Sequence, residues 1–375
     1  DQLMARHGMA TGVFTGDECL AGTRPTQGTE LCAVVELAYS LETLVSVFGD
    51  PAYADQLERV IFNALPATFS PDMWSNQYDQ QVNQVLCTSE PRIWNTNGPD
   101  SNLFGVEPNY GCCTANLSQG WPKFAAHLWM ATTESPGLAV VAYAPSTVTT
   151  EVQGGPITAT LTTDYPFRPD LQFAVTTARP TPFSLWLRIP AWAKGATLVL
   201  PDGAQETPQP GTFHELRRTW QGTESITLIL PMRPTLRRGY NHAASLSRGP
   251  LVYSLKMGEQ WNRVHADAPY RELPHADWEV LPTSPWNYAL DIAEDTVDGN
   301  LVFVEHPVGE RPFSPEGAPI TASVRGRRLP GWDLEDGSAA DAPRSPVASN
   351  EPEETLTLIP YGCTNLRVTE FPTLR

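Results

Sequence analysis

The chain has 375 residues, with 42 Asp and Glu against 25 Lys and Arg, for a formal net charge of −17. No basic stripe interrupts that excess, which argues against nucleic acid or an anionic membrane as partner. Hydrophobic residues make up 41% and charged residues 18%, the balance of a globular chain long enough for two or three domains rather than a disordered one.

Unbroken apolar runs such as Leu138 to Ala144 are too short to span a bilayer. The chain opens on Asp1 rather than Met, and its first residues read as mid-domain sequence, so an N-terminal portion is expected to precede it. Residues 1–29 are rich in Gly and Thr and read as loop, with Arg6-His7-Gly8 followed by Gly12 to Cys19. Acidic residues in such a loop, here Asp17 and Glu18, suit either a solvated turn or an active-site segment.

Leu31, Val34, Val35, Ala38, Leu41, Leu44, Val45 and Phe48 recur at helical spacing, which predicts a helix over residues 30–48. Gly49-Asp50-Pro51 stops it. A second helix is predicted from about Ala52 to Leu65. Glu30 and Cys32 then fall in the first turn of the first helix, where the dipole favours a carboxylate and a thiolate. Residues 66–111 are weakly periodic and contain Trp74, Tyr78 and Gln80, side chains of the kind that stack on and hydrogen-bond to sugars. A connection of this length is usually functional or disordered. A third helix is predicted over 113–132, with Leu117, Trp121, Phe124, Leu128 and Trp129 as its stripe.

After Ser135-Pro136-Gly137 the apolar period changes from helical to alternating. Short strands are predicted at Leu138–Tyr143, Ile157–Thr162, Phe173–Thr176, Phe183–Pro190, Thr197–Leu200, Ser225–Pro231 and Leu251–Leu255, which reads as a β-sandwich. The pattern loosens near residue 259 and resumes as a second β-rich region.

Six cysteines are present, two of them adjacent in Gly111-Cys112-Cys113-Thr114-Ala115-Asn116. Adjacent cysteines pair with each other only under strain, since a disulfide wants Cα atoms ~5.5 Å apart. Glu30, Cys32, Cys112 and Cys113 supply three sulfurs and one carboxylate, a set able to fill a tetrahedral zinc shell. The bland alternative is a pair of buried thiols.

Four segments carry a resemblance: Gly28-Thr29-Glu30-Leu31-Cys32, Cys112-Cys113-Thr114-Ala115-Asn116, Trp186-Leu187-Arg188-Ile189-Pro190-Ala191-Trp192 and Arg248-Gly249-Pro250-Leu251-Val252-Tyr253. Together they resemble glycoside hydrolase family 127, whose best-known activity is β-L-arabinofuranosidase. The resemblance implies an α+β multidomain chain. Residues 1–135 would be the last helices of an (α/α)6 barrel, followed by β-sandwich domains over 136–258 and a second β-rich region over 259–375. It also implies zinc held by Glu30, Cys32, Cys112 and Cys113, with Cys112 as nucleophile of a retaining glycosidase. The resemblance places an acid/base glutamate in the Gly-rich loop close to a Phe; the corresponding Phe here is Phe14, with no carboxylate beside it, so the proton is assigned to Glu18 of the same loop, with Asp17 in support. His7, Trp74, Tyr78, Gln80 and Asn116 are the candidate sugar contacts.

The implied partner is an oligosaccharide or glycan, with neither nucleic acid nor membrane, and a homodimer is one assembly compatible with it. A reduced thiol cluster favours the cytoplasm, although bound zinc protects thiols elsewhere. Two other readings stand beside the glycosidase: a non-catalytic carbohydrate-binding or scaffold protein with structural zinc, and a thiol-containing fold without metal.

Overall fold

The computed structural model describes residues 2–94, 96–106, 111–133 and 135–375. Asn95, Asn109 and Tyr110, which fall in stretches singled out above, lie outside the described residues. The chain forms two compact units: Asp1–Leu37, Arg59–Gly120 and Pro234–Arg375 in one, Ala38–Glu58 and Trp121–Arg233 in the other. It is a mixed α+β protein with many strands and few helices.

The first unit begins with α1 (Gln2–His7) and a small sheet of β1 (Gly16–Asp17), β2 (Cys19–Leu20), β3 (Thr29–Glu30) and β4 (Asp79–Gln80), ordered β2-β1-β3-β4. Gly28 leads into β3 with the Trp94 ring laid against it: a Cβ there would sit 2.6 Å from the indole. Only glycine permits that approach.

Helix α2 (Leu31–Phe48) starts directly after β3, and the Leu31 N–H donates to Tyr78 O at 2.8 Å. Among the described residues α2 is the one helix long and apolar enough to cross a bilayer. Counting unbroken runs misses it, because Glu36 and Glu42 interrupt the sequence. Its stripe of Leu31, Val34, Val35, Ala38, Leu41 and Val45 is buried in the protein and Glu36 is exposed, as in an amphipathic core helix.

The second predicted helix is shorter than its periodicity suggests. Helix α3 (Pro51–Arg59) gives way to a wide π-type turn over Val60–Ala64. Buried Asn63 explains the change. Its Nδ2 donates to Arg59 O (2.7 Å) and Pro250 O (2.9 Å), and its Oδ1 accepts from Val252 N (2.8 Å). The side chain thus completes a strand end in place of a regular helical turn.

Helix α4 (Gly111–Ala126) also ends earlier than residue 132. Leu128 O accepts from Val141 N at 2.9 Å, and Trp129 enters strand β5 (Trp129–Ala131), its indole N–H on Ser146 Oγ at 3.0 Å.

The second unit carries an eight-stranded sheet. To β5 it adds β6 (Gly137–Val140), β7 (Ser146–Val152), β8 (Gly155–Thr162), β9 (Asp170–Ile189), β10 (Thr197–Val199), β11 (Gln205–Glu206) and β12 (Thr212–Ile229). β9 and β12 pair antiparallel from Asp170↔Ile229 to Ile189↔Thr212, broken between Trp220 and Gly222. The sequence had suggested two short strands around Arg179-Pro180-Thr181-Pro182. The strand passes through because the break in register lies beside those prolines, which have no N–H to donate.

Arg188, fully buried, reaches from β9 to α3, with Nη2 2.5 Å from Glu58 Oε1 and Nη1 on Asp55. Tyr165 donates to the same Glu58 carboxylate, and Tyr143 N donates to it at 2.8 Å. Removing one partner of such a buried pair typically costs about 3–5 kcal/mol. The Arg188-Ile189-Pro190 segment is therefore a fastening of helix to sheet.

The first unit resumes with β13 (Pro234–Arg238), β14 (Ala244–Arg248), β15 (Leu251–Leu255), β16 (Glu259–Val264), β17 (Asp277–Pro282), β18 (Tyr288–Leu290), β19 (Val302–Glu305), β20 (Ile320–Arg328), β21 (Leu334–Glu335), β22 (Ser338–Ala339) and β23 (Glu353–Pro360). Its seven-stranded sheet runs β13-β14-β15-β23-β20-β18, with β19 beside β20. The sheets do not divide at residue 258: β15 pairs with β23 through Tyr253↔Pro360, so residues 234–255 join the C-terminal sheet.

The segment 66–106 is no open sugar-binding loop along most of its length. Gln77, Gln80, Gln81, Asn83, Gln84 and Asn102 are buried and bonded inward. Gln77 Nε2 reaches Asn102 O (2.7 Å), Gln84 Nε2 reaches Asn365 O (2.7 Å), and Asn83 Oδ1 accepts from Thr369 N (2.9 Å). These amides satisfy irregular backbone, as buried loops require.

Candidate metal centre

Three short elements bring the cluster together. Glu30 ends β3, Cys32 lies in the first turn of α2, and Cys112 and Cys113 lie in the first turn of α4. One ligand atom from each of the four residues lies within 4.8 Å of all the others. Cys32 Sγ and Cys113 Sγ are 3.2 Å apart, and Cys113 Sγ is 3.7 Å from Glu30 Oε1. Three thiols and a carboxylate gathered this closely are a donor set able to hold a metal ion. Among the described residues no disulfide forms.

The four groups differ in exposure. Cys113 is buried, Glu30 and Cys32 are half-buried, and Cys112 is exposed. Burial raises Glu30 above the usual carboxylate range and the nearby Glu18 charge adds to this, while hydrogen bonds with Cys32, Tyr78 and Cys113 oppose it. Cys32 is held below the usual thiol range, first by its hydrogen bond with Cys113 and further by Asn116, against the pull of burial. Burial raises the Cys112 thiol, and a hydrogen bond with Tyr78 works against that.

The candidate sugar contacts fall in different places. Tyr78 belongs to the cluster: its hydroxyl is 3.2 Å from Cys112 Sγ, and its own ionisation is pushed up by burial first and then by that sulfur. Asn116, one turn into α4, faces Cys32. His7 instead accepts from Gly22 N at 2.9 Å and ties down the loop ahead of β3. Gln80 is turned into the core, its Nε2 on Ala64 O (2.9 Å) and its Oε1 accepting from the Tyr361 hydroxyl (2.7 Å). Trp74 is exposed and edge-on to His275 at 5.0 Å, with no contact to the cluster among the described residues.

The two acidic loop candidates separate clearly. Asp17 is buried, and its carboxylate accepts from Thr96 N and Asn97 Nδ2. Glu18 is exposed at the single-residue tip between β1 and β2, with φ +67°. A left-handed conformation costs a non-glycine residue about 1–2 kcal/mol. Sequence reasoning passed over Asp79, which pairs backbone-to-backbone with Glu30. Its carboxyl is fully buried and held well above its ordinary range, by burial first and then by the charge and hydrogen bond of Asp17. Its place opposite Glu30 depends on strand register, which no local motif reports.

Residues 6–126 match the model of the β-L-arabinofuranosidase GH127 catalytic domain, and residues 137–232 that of the GH127 middle domain. The chain belongs to glycoside hydrolase family 127. Solved structures agree in fold. A GH127 β-L-arabinofuranosidase from Geobacillus stearothermophilus T6 matches with a TM-score of 0.67 at 19% identity, over 97% of this chain and 53% of its own. A structure described as a glycoside hydrolase matches at 0.68 and 18% identity, over 97% and 59%. A GH127 β-arabinofuranosidase matches at 0.66 and 18%, over 97% and 53%. This family 127 chain thus spans little more than half the length of these structures. No curated protein matches it in sequence.

Proposed function

We propose that the chain carries the catalytic centre of a retaining glycoside hydrolase that releases L-arabinofuranose or a related sugar from plant-derived glycans. In this reading α2, α3 and α4 are the last helices of an (α/α)6 barrel, and the strands after residue 136 form β-sandwich domains. The observation that carries the reading is the convergence of Glu30, Cys32, Cys112 and Cys113 with Cys112 alone exposed. A purely structural zinc site has no need of one accessible sulfur beside a tyrosine hydroxyl.

Glu30, Cys32, Cys112 and Cys113 would hold zinc, which when bound keeps its thiol ligands deprotonated. The Cys112 sulfur attacks the anomeric carbon, and the Tyr78 hydroxyl beside it fixes its orientation. Glu18 gives its proton to the departing oxygen as the C–O bond breaks. Glu18 then takes a proton from water, the water oxygen bonds to the anomeric carbon, and the Cys112 sulfur leaves with the C–S electron pair. Two displacements give net retention. Asp17, anchored by Thr96 and Asn97, holds the loop that presents Glu18.

The test is hydrolysis of an aryl β-L-arabinofuranoside followed by proton NMR. The β-anomer of arabinose is expected as the first product. The α-anomer appearing first, or no release of the aryl alcohol, would contradict the reading.

A further inference from the structure

The first unit holds a cleft away from the metal cluster. It measures about 660 Å³, and its lining includes Lys256, Glu259, Trp261, Arg311, Pro315 and Glu316. Clefts of roughly 300–1,000 Å³ with apolar walls and a few polar groups are the usual form of a small-ligand site. None of its lining residues belongs to the metal cluster.

Trp261 lies on β16 and is backed by Phe104 at 5.1 Å and Trp278 at 6.3 Å between ring centroids. Its indole N–H is fixed by Glu259 Oε2 at 3.0 Å. A half-buried indole held in this way offers an apolar wall at little further cost in side-chain freedom.

The charges around it are unequal in availability. The Glu259 carboxylate is taken up by three donors: Trp261 Nε1, Asn365 Nδ2 (3.0 Å) and Leu366 N (3.1 Å). Glu316 lies 3.3 Å from Lys256 Nζ, but its side chain is 89% exposed, so the pair is a weak surface contact. Arg311 is exposed and has no carboxylate partner among the described residues; its guanidinium meets the Pro71 carbonyl at 3.5 Å. Lys256 and Arg311 share the lining with Glu259 and Glu316, so the cleft is not cationic as a whole; what it offers a carboxylate is the Arg311 guanidinium fork, which no carboxylate among the described residues occupies.

We propose that this cleft binds an acidic saccharide, a uronic-acid unit whose carboxylate meets Arg311 and Lys256 and whose ring lies against Trp261. The choice of a saccharide rests on the glycosidase reading; the cleft and its cations do not.

The test is calorimetric titration of the full chain with digalacturonate, and with galactobiose as the neutral counterpart. Digalacturonate is expected to bind and galactobiose to bind at least about tenfold more weakly, a difference of ~1.4 kcal/mol. The double variant Lys256→Ala/Arg311→Ala should lose at least tenfold in digalacturonate affinity while its thermal unfolding and its hydrolysis of an aryl arabinofuranoside stay unchanged. Cys112→Ala should bind digalacturonate as the parent does, whatever its hydrolytic activity. Equal binding of the neutral sugar, undiminished binding by the double variant, loss of binding in Cys112→Ala, or no binding by the parent would each overturn the proposal.

Discussion

Replacing Cys112 with alanine is expected to lower turnover of an aryl β-L-arabinofuranoside by about 10⁴-fold or more, the scale on which removal of a covalent nucleophile acts. The expectation follows from the division of labour within the cluster. Cys113 is buried and in contact with both Cys32 and Glu30, so its loss would disturb the site's construction. Cys112 is exposed, and its sulfur meets the Tyr78 hydroxyl at 3.2 Å. Its removal takes away the accessible sulfur while Glu30, Cys32 and Cys113 stay in place. Because Cys112 is also one of the four residues that would hold zinc, the variant's zinc content is measured with its steady-state kinetics and turnover is compared at equal zinc occupancy. A Cys112→Ala protein that keeps turnover would remove the sulfur nucleophile from the mechanism.

Glu18→Gln is expected to slow hydrolysis of a substrate with a poor leaving group by about 10²–10⁴-fold, the usual contribution of general acid catalysis. A thiolate cannot expel an alkoxide efficiently unless the departing oxygen receives a proton. An activated aryl group leaves without one, so the first step should suffer less with an aryl glycoside, and glycosyl-enzyme should accumulate because water still has to be deprotonated. Glu18 fits the role by position: it stands exposed at the tip of the β1–β2 turn, and its charge acts on Glu30. Asp17 is spoken for by Thr96 and Asn97. Asp17→Asn should accordingly cost less than Glu18→Gln on both substrates. The reverse order, measured as paired kcat values on the two leaving groups, would assign the proton to Asp17.

The metal-capable cluster was legible because its ligands come in two short motifs at helix starts. Glu30 and Cys32 precede an apolar stripe that spells out α2, and Cys112 and Cys113 follow a glycine at the start of α4. Local periodicity was less informative about where helices stop. Leu128 and Trp129 continue the spacing of α4, yet the chain has already entered the sheet at Trp129. Asn63 closes α3 through bonds to Pro250 and Val252, nearly two hundred residues away, which no local window contains. The polar run from Gln77 to Gln84 has the composition of a sugar-binding loop. Burial turns Gln80 toward Ala64 and Tyr361 and leaves Tyr78 at the cluster. Gln80 lies in β4 and Tyr78 just ahead of it, and which of the two meets the cluster is set by tertiary packing that no local pattern reports. The prolines Pro180 and Pro182 read as strand breakers, because the pairing that accommodates them involves β12, some forty residues on.

The proposal rests above all on Glu30, Cys32, Cys112 and Cys113 holding one zinc ion. Elemental analysis of the purified protein beside its Cys32→Ser and Cys113→Ser variants measures that directly. About one equivalent of zinc per chain is expected in the parent, with a loss of most of it in each variant. A parent without zinc, or zinc undiminished by both substitutions, would contradict it.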